Sequence, residues 1–320
     1  MKAFEYTEYG SPDVLHLVEA AKPTPKDDEV LIKIRAASVN PLDWRIMTGK
    51  PFFLRLMIGG LRRPKPTRPG IDGAGVVESV GRNVTRFKPG DAVFGSCRGA
   101  LAEYACTPES KVVSKPERVT FEQAASVTVA AITALQGLRD RGHIQPGQKV
   151  LLVGASGGVG TFAVQIAKAF GAEVTALCST GNVDIARSIG ADHVIDYTRE
   201  DFTKSGKQYD LIFAANAHRS IFDYRRALRR NGIYVMAGGG WPQILQGLIL
   251  GPLLSGVGGK KLCFFGAKVE KTDLEILKEY LETGTIVPII DRQYTFAEAA
   301  EALRYLEEGH ARGKVVVTAE

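Results

Sequence analysis

Residue types and spacing point most directly to chemistry in a glycine-rich turn that follows a short apolar segment. Lys149-Val150-Leu151-Leu152-Val153 reads as a buried parallel strand, and an alanine-rich helical pattern begins near Gly158. A helix start supplies free N–H groups and the positive end of its dipole to an anion. The pattern therefore predicts a pyrophosphate-binding turn. We expect the cofactor to be bound by Ala155, Ser156, Gly157, Gly158, Val159 and Gly160.

Within this turn each small residue has its own expected role. Gly157 should leave room for the phosphate and adopt a positive φ, which a β-branched residue resists. Gly160 should let the helix pack closely on its strand. Ala155 replaces the first glycine of the usual pattern, a departure that a tight turn tolerates.

The segment after the second predicted strand, residues 173–178, indicates which dinucleotide is bound. NAD sites place Asp or Glu there to bind the ribose 2′-hydroxyl. This chain has Ser179, Thr180 and Asn182 instead, and Tyr197 follows the third predicted strand. Their hydroxyl and amide donors suit a 2′-phosphate, so we expect NADPH as the cofactor. The alternative is an ordinary polar loop, because the turn itself lacks the usual Arg or Lys.

Thiols and imidazoles show no metal-binding pattern. The four cysteines are Cys97, Cys106, Cys178 and Cys263, without a Cys-x-x-Cys pair, and the five histidines have no ligand spacing. We expect the cysteines to be small apolar core residues and predict no metal site.

The charge of the chain is only mildly positive, at +6. Five basic residues cluster in positions 55–68, namely Arg55, Arg62, Arg63, Lys65 and Arg68. This stretch is interpreted as a solvated loop or, alternatively, as an anion-attracting rim at a substrate entrance. No nucleic-acid recognition motif accompanies it, so we expect no nucleic-acid partner.

The elements that must position these residues change character near Thr120. Before it, predicted strands at 30–37, 73–80 and 91–94 alternate with segments rich in Pro and Gly, which indicates a β-rich domain. A helix is predicted at 121–139 and another at 221–230. Strands are predicted at 149–153, 173–178, 193–195, 210–214, 232–236 and 261–265. Strands that alternate with helices at this spacing predict a doubly wound parallel sheet.

After Ala267 the alternation ends. Two amphipathic helices, at 271–282 and 295–307, and a strand at 314–318 have no sheet of their own, so we expect them to return to the first domain. The predicted domains are 1–119 with 267–320, and 120–266.

Several segments together resemble the medium-chain dehydrogenase/reductase superfamily, in its zinc-free quinone oxidoreductase-like branch, along nearly the whole chain. They are Ala37-Ser38-Val39-Asn40-Pro41-Leu42-Asp43-Trp44, Pro69-Gly70-Ile71-Asp72-Gly73-Ala74-Gly75-Val76-Val77, the turn at 154–160, Gly190-Ala191-Asp192-His193-Val194-Ile195-Asp196-Tyr197 and Gly309-His310-Ala311-Arg312-Gly313-Lys314-Val315-Val316. The resemblance implies an α/β fold with a doubly wound parallel (Rossmann) sheet and a β-rich GroES-like catalytic domain. We also expect Gly238 and Lys314 to bind the cofactor.

The resemblance further implies that catalysis does without zinc. Zinc alcohol dehydrogenases have a Cys ligand where this chain has Asn40 and a His ligand where it has Ile71, and no Cys lies near residues 126–128. Hydrogen bonds must then polarise the substrate carbonyl. Asn40 is the best candidate for this role, and Thr128 is expected to face the nicotinamide.

The implied reaction is hydride transfer from NADPH to a quinone or an α,β-unsaturated carbonyl. Some relatives that reduce enoyl thioesters carry a Tyr in the loop after the Asn-Pro segment, whereas this chain has Gly49-Lys50-Pro51-Phe52-Phe53. An enoyl-thioester reductase therefore stays an alternative. A second alternative, of another class, is an NADPH-binding sensor or scaffold without significant turnover.

Further expectations concern location and assembly. The first residues show no signal-peptide pattern and no apolar run is long enough to cross a bilayer, so we expect a cytoplasmic protein without a membrane partner. The last predicted strand of the doubly wound sheet, residues 261–265, is apolar and lies at a sheet edge. An apolar edge must be covered or paired, which predicts a homodimer. The competing explanation is that residues 241–259 cover this edge within one chain.

Overall fold

The computed structural model describes residues 1–52, 55, 56, 60–65 and 67–319. The chain divides into two compact units, the first made of residues 1–129, 269–283 and 288–320, and the second of residues 130–268 and 284–287. The first unit thus extends beyond residue 119, because the helix Phe121–Ala125 packs on its strands.

The first unit is built around a mostly antiparallel sheet. Its elements before residue 130 are β1 (Lys2–Glu5), β2 (His16–Glu19), β3 (Glu29–Val39), α1 (Pro41–Thr48), β4 (Asp72–Val80), β5 (Ala92–Ser96), β6 (Tyr104–Pro108), β7 (Val112–Ser114) and α2 (Phe121–Ala125). In the described residues, the strand order is β14 (Ile290–Thr295), β15 (Lys314–Thr318), β3, β4, β5 and β7, with β6 also paired to β3. Most of the strand β3 is buried because it lies in the middle of this sheet.

The second unit contains a parallel sheet. Its elements are α3 (Thr128–Gln136, of which the first two residues belong to the first unit), β8 (Lys149–Val153), α4 (Gly158–Ala169), β9 (Glu173–Cys178), α5 (Val183–Ser188), β10 (His193–Asp196), β11 (Tyr209–Ala214), α6 (Ile221–Ala227), β12 (Leu228–Met236), α7 (Trp241–Leu254) and β13 (Lys261–Phe264). The strand order is β10-β9-β8-β11-β12-β13. The order reverses between β8 and β11, which is the doubly wound arrangement predicted from the sequence.

The chain then returns to the first unit. Its last elements are α8 (Lys271–Thr283), β14 (Ile290–Thr295), α9 (Ala299–Glu307) and β15 (Lys314–Thr318). β15 pairs with the central strand β3, and β14 pairs with β15. The segment therefore completes the first sheet rather than only packing on it.

One predicted helix is interrupted, and another ends earlier than expected. The helix predicted at 121–139 is interrupted after Ala125, where the Ser126 hydroxyl donates to the Gln123 carbonyl, and it ends in a π-helical turn, Gly137–Arg141. The helix predicted at 221–230 ends at Ala227, because Leu228 already pairs with Tyr209 in the parallel sheet. Tertiary pairing outweighs local helix propensity at this point.

None of the helices in the described ranges is long and apolar enough to span a membrane. The cytoplasmic location stays a prediction.

Candidate functional site

The glycine turn after β8 forms a cradle of backbone amides. A Cβ on Gly157, which precedes α4, would lie no closer than 3.6 Å to the Gly154 carbonyl oxygen, so this position is open. For the part of the chain that the structure describes, no side chain caps α4, and the amides of its first turn are free to bind an anion. These features fit a dinucleotide pyrophosphate.

The glycine with a positive φ in this turn is not the one that the sequence predicted. Gly157 has φ −80° and ψ 175°, which any residue adopts, so the predicted positive φ at this position is wrong. The positive φ, 78°, belongs to Gly154, which turns the chain out of the strand. Gly160 is required by packing, since its Cβ would lie 2.0 Å from the Gly154 carbonyl oxygen.

Ala155 positions this turn through its backbone. Its side chain is fully buried, and its N–H donates to the Leu177 carbonyl at the end of β9. Ser156, Gly158 and Val159 are partly exposed at the helix start.

A carboxylate that the sequence interpretation did not include, Asp196 at the end of β10, lies beside the loop after β9. The Thr180 hydroxyl donates to Asp196 Oδ2 at 2.5 Å, and this hydrogen bond lowers the pKa of Asp196. Asp196 Oδ1 accepts from the N–H of Thr198. The Thr180 hydroxyl is therefore already engaged. The motif that carries the resemblance contained Asp196, but its pairing with Thr180 follows only from the β9–β10 register.

Two other predicted cofactor residues of this loop contact each other. Asn182 Nδ2 donates to Ser179 Oγ at 3.0 Å, which leaves the Ser179 hydroxyl proton for another acceptor. The ring of Tyr197 is about half exposed and lies 5.5 Å from the ring of His218, whose pKa is lowered by burial. Ser179 after β9 and Tyr197 after β10 are thus the described groups of this region best placed for a ligand.

Gly238 follows the strand β12 at a point where its backbone lies close to that of Ala215. A Cβ there would lie 2.5 Å from the Ala215 carbonyl oxygen, and the Gly238 carbonyl accepts from the N–H of Ala217. The residue is required by packing at the carboxyl ends of β11 and β12, the sheet edge where such folds bind cofactors.

A second candidate site, in the first unit, is a buried network of polar side chains placed by strand register. β4 pairs Asp72 with Ser38 of β3, and β15 pairs Val315 with Val39 of β3. Lys314, one residue before Val315, consequently lies opposite Asn40, one residue after Val39. Three neighbouring strands thereby bring an acid, an amide and an amine together.

The distances show that these groups form one hydrogen-bonded network. Asp72 Oδ2 accepts from Ser38 Oγ and Asn40 Nδ2, both at 3.0 Å, and lies 3.5 Å from Lys314 Nζ. Lys314 Nζ donates to Asn40 Oδ1 at 2.6 Å. The other carboxylate oxygen, Asp72 Oδ1, accepts from the N–H of Val129 at 3.0 Å. Asn40, Asp72 and Lys314 are 2%, 0% and 3% exposed, so these interactions are shielded from water.

Asp43, in the first turn of α1, adds a second buried acid. Its carboxylate accepts from the N–H of Asn40 at 2.9 Å and from the N–H of Gly70 at 3.1 Å. Burial, with a further contribution from the charge of Asp72, raises the pKa of Asp43 to about 7. Burial lowers the pKa of Lys314, and the charge of Asp72 opposes this effect.

Thr128 begins the helix α3 beside this network. Its neighbour Val129 donates to Asp72, while the Thr128 hydroxyl is fully buried and, within the described residues, has no hydrogen-bond partner. Buried polar atoms are normally satisfied. An orphaned hydroxyl therefore marks a place where a bound molecule would supply the partner.

Ser38, Asp43 and Asp72 were missed as functional candidates from the sequence. All three lie in the segments that carry the family resemblance, so the signal was present, but only the sheet register shows that they contact Asn40. Lys314 was expected to bind the cofactor, and the structure places its ammonium on Asn40 and Asp72.

These residues do not fit a zinc centre. Asn40 and Ile71 occupy the positions where the resemblance places ligands, and the Lys314 ammonium lies against the Asn40 oxygen. A fixed positive charge at that atom repels a metal ion. Within the described ranges, no group of three or more His, Cys, Asp or Glu side chains is arranged to hold a metal.

The basic stretch at 55–68 is partly engaged within the first unit. Arg55 lies over the ring of Tyr9 at 4.2 Å and donates to the Gly49 carbonyl, and Arg68 pairs with Glu5 at 2.7 Å. Phe53 and Pro66, which belong to the loops considered above, lie outside the described residues.

Family models match both parts of the chain. An alcohol dehydrogenase GroES-like domain matches residues 26–117, and a zinc-binding dehydrogenase domain matches residues 189–317. The ligand positions discussed above, Asn40 and Ile71, lie outside residues 189–317 and inside the GroES-like match.

Similar proteins cover nearly the whole chain. A 2-methylene-furan-3-one reductase from Solanum lycopersicum is 37% identical over 99% of this chain and 79% of its own length. An NADPH-dependent alkenal/one oxidoreductase of Arabidopsis thaliana, a chloroplastic protein, is 35% identical with the same coverage. The solved quinone oxidoreductase from Coxiella burnetii has 28% identity and a TM-score of 0.87, covering 100% of this chain and 99% of that one. The chain belongs to the medium-chain dehydrogenase/reductase superfamily, in its zinc-free quinone oxidoreductase-like branch.

Proposed function

We propose that this protein is an NADPH-dependent reductase of quinones or α,β-unsaturated carbonyl compounds. The observation that carries the proposal is the open amide cradle at Gly157, in a chain similar over 99% of its length to reductases of these classes. The substrate is a small molecule.

NADPH, when bound, supplies a hydride to the electrophilic carbon of the substrate. The first-turn amides of α4, from Gly158 to Gly160, would hold its pyrophosphate, and Ser179 and Tyr197 would hold the 2′-phosphate end. Gly157 keeps the approach to these amides free of side-chain atoms.

Asn40 and Thr128 are the proposed catalytic residues. The second N–H of Asn40 Nδ2 is only weakly engaged, by the Ser38 carbonyl at 3.5 Å, and remains available to a carbonyl oxygen. The Thr128 hydroxyl has no hydrogen-bond partner among the described residues, and the N–H of the next residue, Val129, donates to Asp72 of the network. Together they offer hydrogen bonds to a developing oxyanion without a metal.

Steady-state oxidation of NADPH against a panel of quinones, enones, aldehydes and enoyl-CoA tests this proposal. We expect turnover with quinones or enones and little with aldehydes. A strong preference for enoyl-CoA that depends on chain length would instead establish an enoyl-thioester reductase. Tight NADPH binding without oxidation across the panel would establish a sensor or scaffold.

We further propose that the protein is a homodimer paired through β13. This strand ends the sheet order, pairs with β12 on one side only among the described residues, and includes the apolar Leu262 and Phe264. The helix α7 packs on β13 with Gly247 against Phe264, and leaves Leu248 and Ile249 about half exposed on its outer side. Exposed apolar surface beside an unpaired edge suits a second copy better than solvent.

Light scattering at micromolar concentration tests the assembly. A monomer mass would exclude it, and it would favour coverage of the edge by residues 241–259 within one chain. The change Phe264→Lys should lower the dimer mass fraction by placing like charges near the two-fold axis.

A further inference from the structure

Lys314 is a lysine in an unusual environment. Its side chain is 3% exposed, and its ammonium makes one short hydrogen bond, to Asn40 Oδ1, and one longer ion pair, to Asp72. Moving an ammonium out of water costs several kcal/mol, and an apolar side chain of similar volume is often at least as stable in such a place. Fold stability alone is therefore a weak reason for a lysine here.

The contacts of Lys314 determine which way the Asn40 amide points. An ammonium only donates, so the atom at 2.6 Å must be the amide oxygen. The amide nitrogen then faces Asp72 Oδ2, which accepts one of its two hydrogens. The other hydrogen lies toward the Ser38 carbonyl at 3.5 Å, the limit of a hydrogen bond. Lys314 and Asp72 thus fix both ends of the amide.

We propose that Lys314 is a positioning residue for the reductase reaction, which holds and polarises the Asn40 amide so that its weakly engaged N–H is presented as a donor. This inference rests on the proposed function and extends it. The positive charge at Oδ1 draws electron density from the amide, which makes its N–H groups stronger donors. Without the ammonium, Asn40 is free to rotate by 180° about its last torsion, which would place its oxygen against Asp72 or against the substrate.

A double-mutant cycle tests whether Lys314 acts through Asn40. Lys314→Met keeps the approximate shape and removes the charge, and Asn40→Ala removes the amide. We expect Lys314→Met to lower kcat about tenfold to 100-fold, as for other losses of orientation, and to leave the Kd for NADPH unchanged. In the Asn40→Ala background, Lys314→Met should have little further effect, because the group it positions is absent.

Two further variants provide controls. Lys111→Met removes a lysine of the same unit whose ammonium donates to the Val269 carbonyl, and it should leave kcat unchanged. Lys314→Gln keeps an N–H donor without the charge, and it should restore part of the lost kcat. If Lys314→Met fails to fold, Lys314→Gln takes its place in the cycle, with a smaller expected loss.

A readout that does not need turnover is the side-chain amide signal of Asn40 in a ¹⁵N–¹H spectrum, assigned by its absence in Asn40→Ala. We expect it to shift in both Lys314 variants and to stay in place in Lys111→Met. An unshifted signal, additive effects in the cycle, or a weakened NADPH affinity with unchanged kcat would overturn the inference. If the Lys314 variants show the shift but the wild type reduces no quinone or enone, the positioning holds and the proposed function fails.

Discussion

The turn after β8 offers backbone amides to its ligand, whereas the network around Asp72 is made of side chains from β3, β4 and β15. In the turn, side chains matter chiefly by being absent, at Gly157 and Gly160. In the network each side chain supplies a donor or an acceptor that a neighbour needs. We therefore expect NADPH binding at the turn to withstand changes of side-chain polarity but not added side-chain volume. For the network we expect the reverse: the loss of a polar group should do more damage than a change of volume.

The largest expected effect is on the network. Asp72→Leu removes the carboxylate and leaves the Lys314 ammonium, Ser38 and the Val129 N–H without their acceptor. Loss of one partner from a buried ion pair costs about 3–5 kcal/mol. The thermal unfolding midpoint should fall clearly, as measured by circular dichroism. Asp27→Leu, which breaks the exposed pair with Arg82, is the control and should change the midpoint little. Equal effects of the two changes would contradict a special role of the network.

The next largest effect is expected on NADPH binding when a side chain is added to the glycine turn. Gly157→Val should weaken NADPH binding about 100-fold, or about 2.7 kcal/mol, because the side chain fills the space over the amides. Folding should be retained, since φ −80° suits valine. Ala169→Val, at the exposed far end of the same helix, should bind NADPH normally in a fluorescence titration. An undiminished affinity of Gly157→Val would remove the turn from the cofactor site.

A smaller effect should follow from charge near the turn. We expect NADPH to be preferred over NADH, and Ser179→Asp to shift the ratio of kcat/KM toward NADH about tenfold, or about 1.4 kcal/mol, through repulsion of the 2′-phosphate. Asp196→Asn removes a carboxylate that already lies beside Thr180 and should shift the ratio the other way. Equal or better kinetics with NADH in the wild type would show that Ser179 and Tyr197 do not read the 2′-phosphate.

The pH dependence of stability reports on the second acid of the network. The pKa of Asp43 in the folded protein is raised to about 7, above its value in the unfolded chain. The folded state therefore binds the proton more tightly, and the contribution of Asp43 to stability decreases as the pH rises from about 4 to about 7. Asp43→Asn should flatten this part of the curve of thermal midpoint against pH. An unchanged slope would place the titration on another group.

The smallest expected effect is that of chelators. Because Asn40 and Ile71 stand at the ligand positions and Lys314 supplies a fixed charge, EDTA should leave kcat/KM unchanged within error. Stoichiometric zinc that is lost together with activity would contradict this expectation.

Much of the second unit was predictable because its signals are local. Continuous apolar strands, the glycine turn and the alternation with helices lie within short windows, and the structure confirms the strands at Lys149–Val153 and Glu173–Cys178 to the residue. Helix ends were predicted wrongly where a residue pairs with a distant strand. The helix α6 ends before Leu228, because Leu228 pairs with Tyr209 in the sheet. The φ angle of Gly157 also could not be predicted from the sequence, since glycine is compatible with either sign of φ.

The sequence by itself determined the family, the two-part fold and the amide cradle, because these depend on residue type and short spacing. Only the tertiary structure decided that Lys314, 274 positions from Asn40, donates to that amide, and that Asp72 and Ser38 complete the network. The physical reason is that strand register is set by the packing of a whole sheet. Which side chains meet across β3, β4 and β15 is a property of their pairing and not of any one segment.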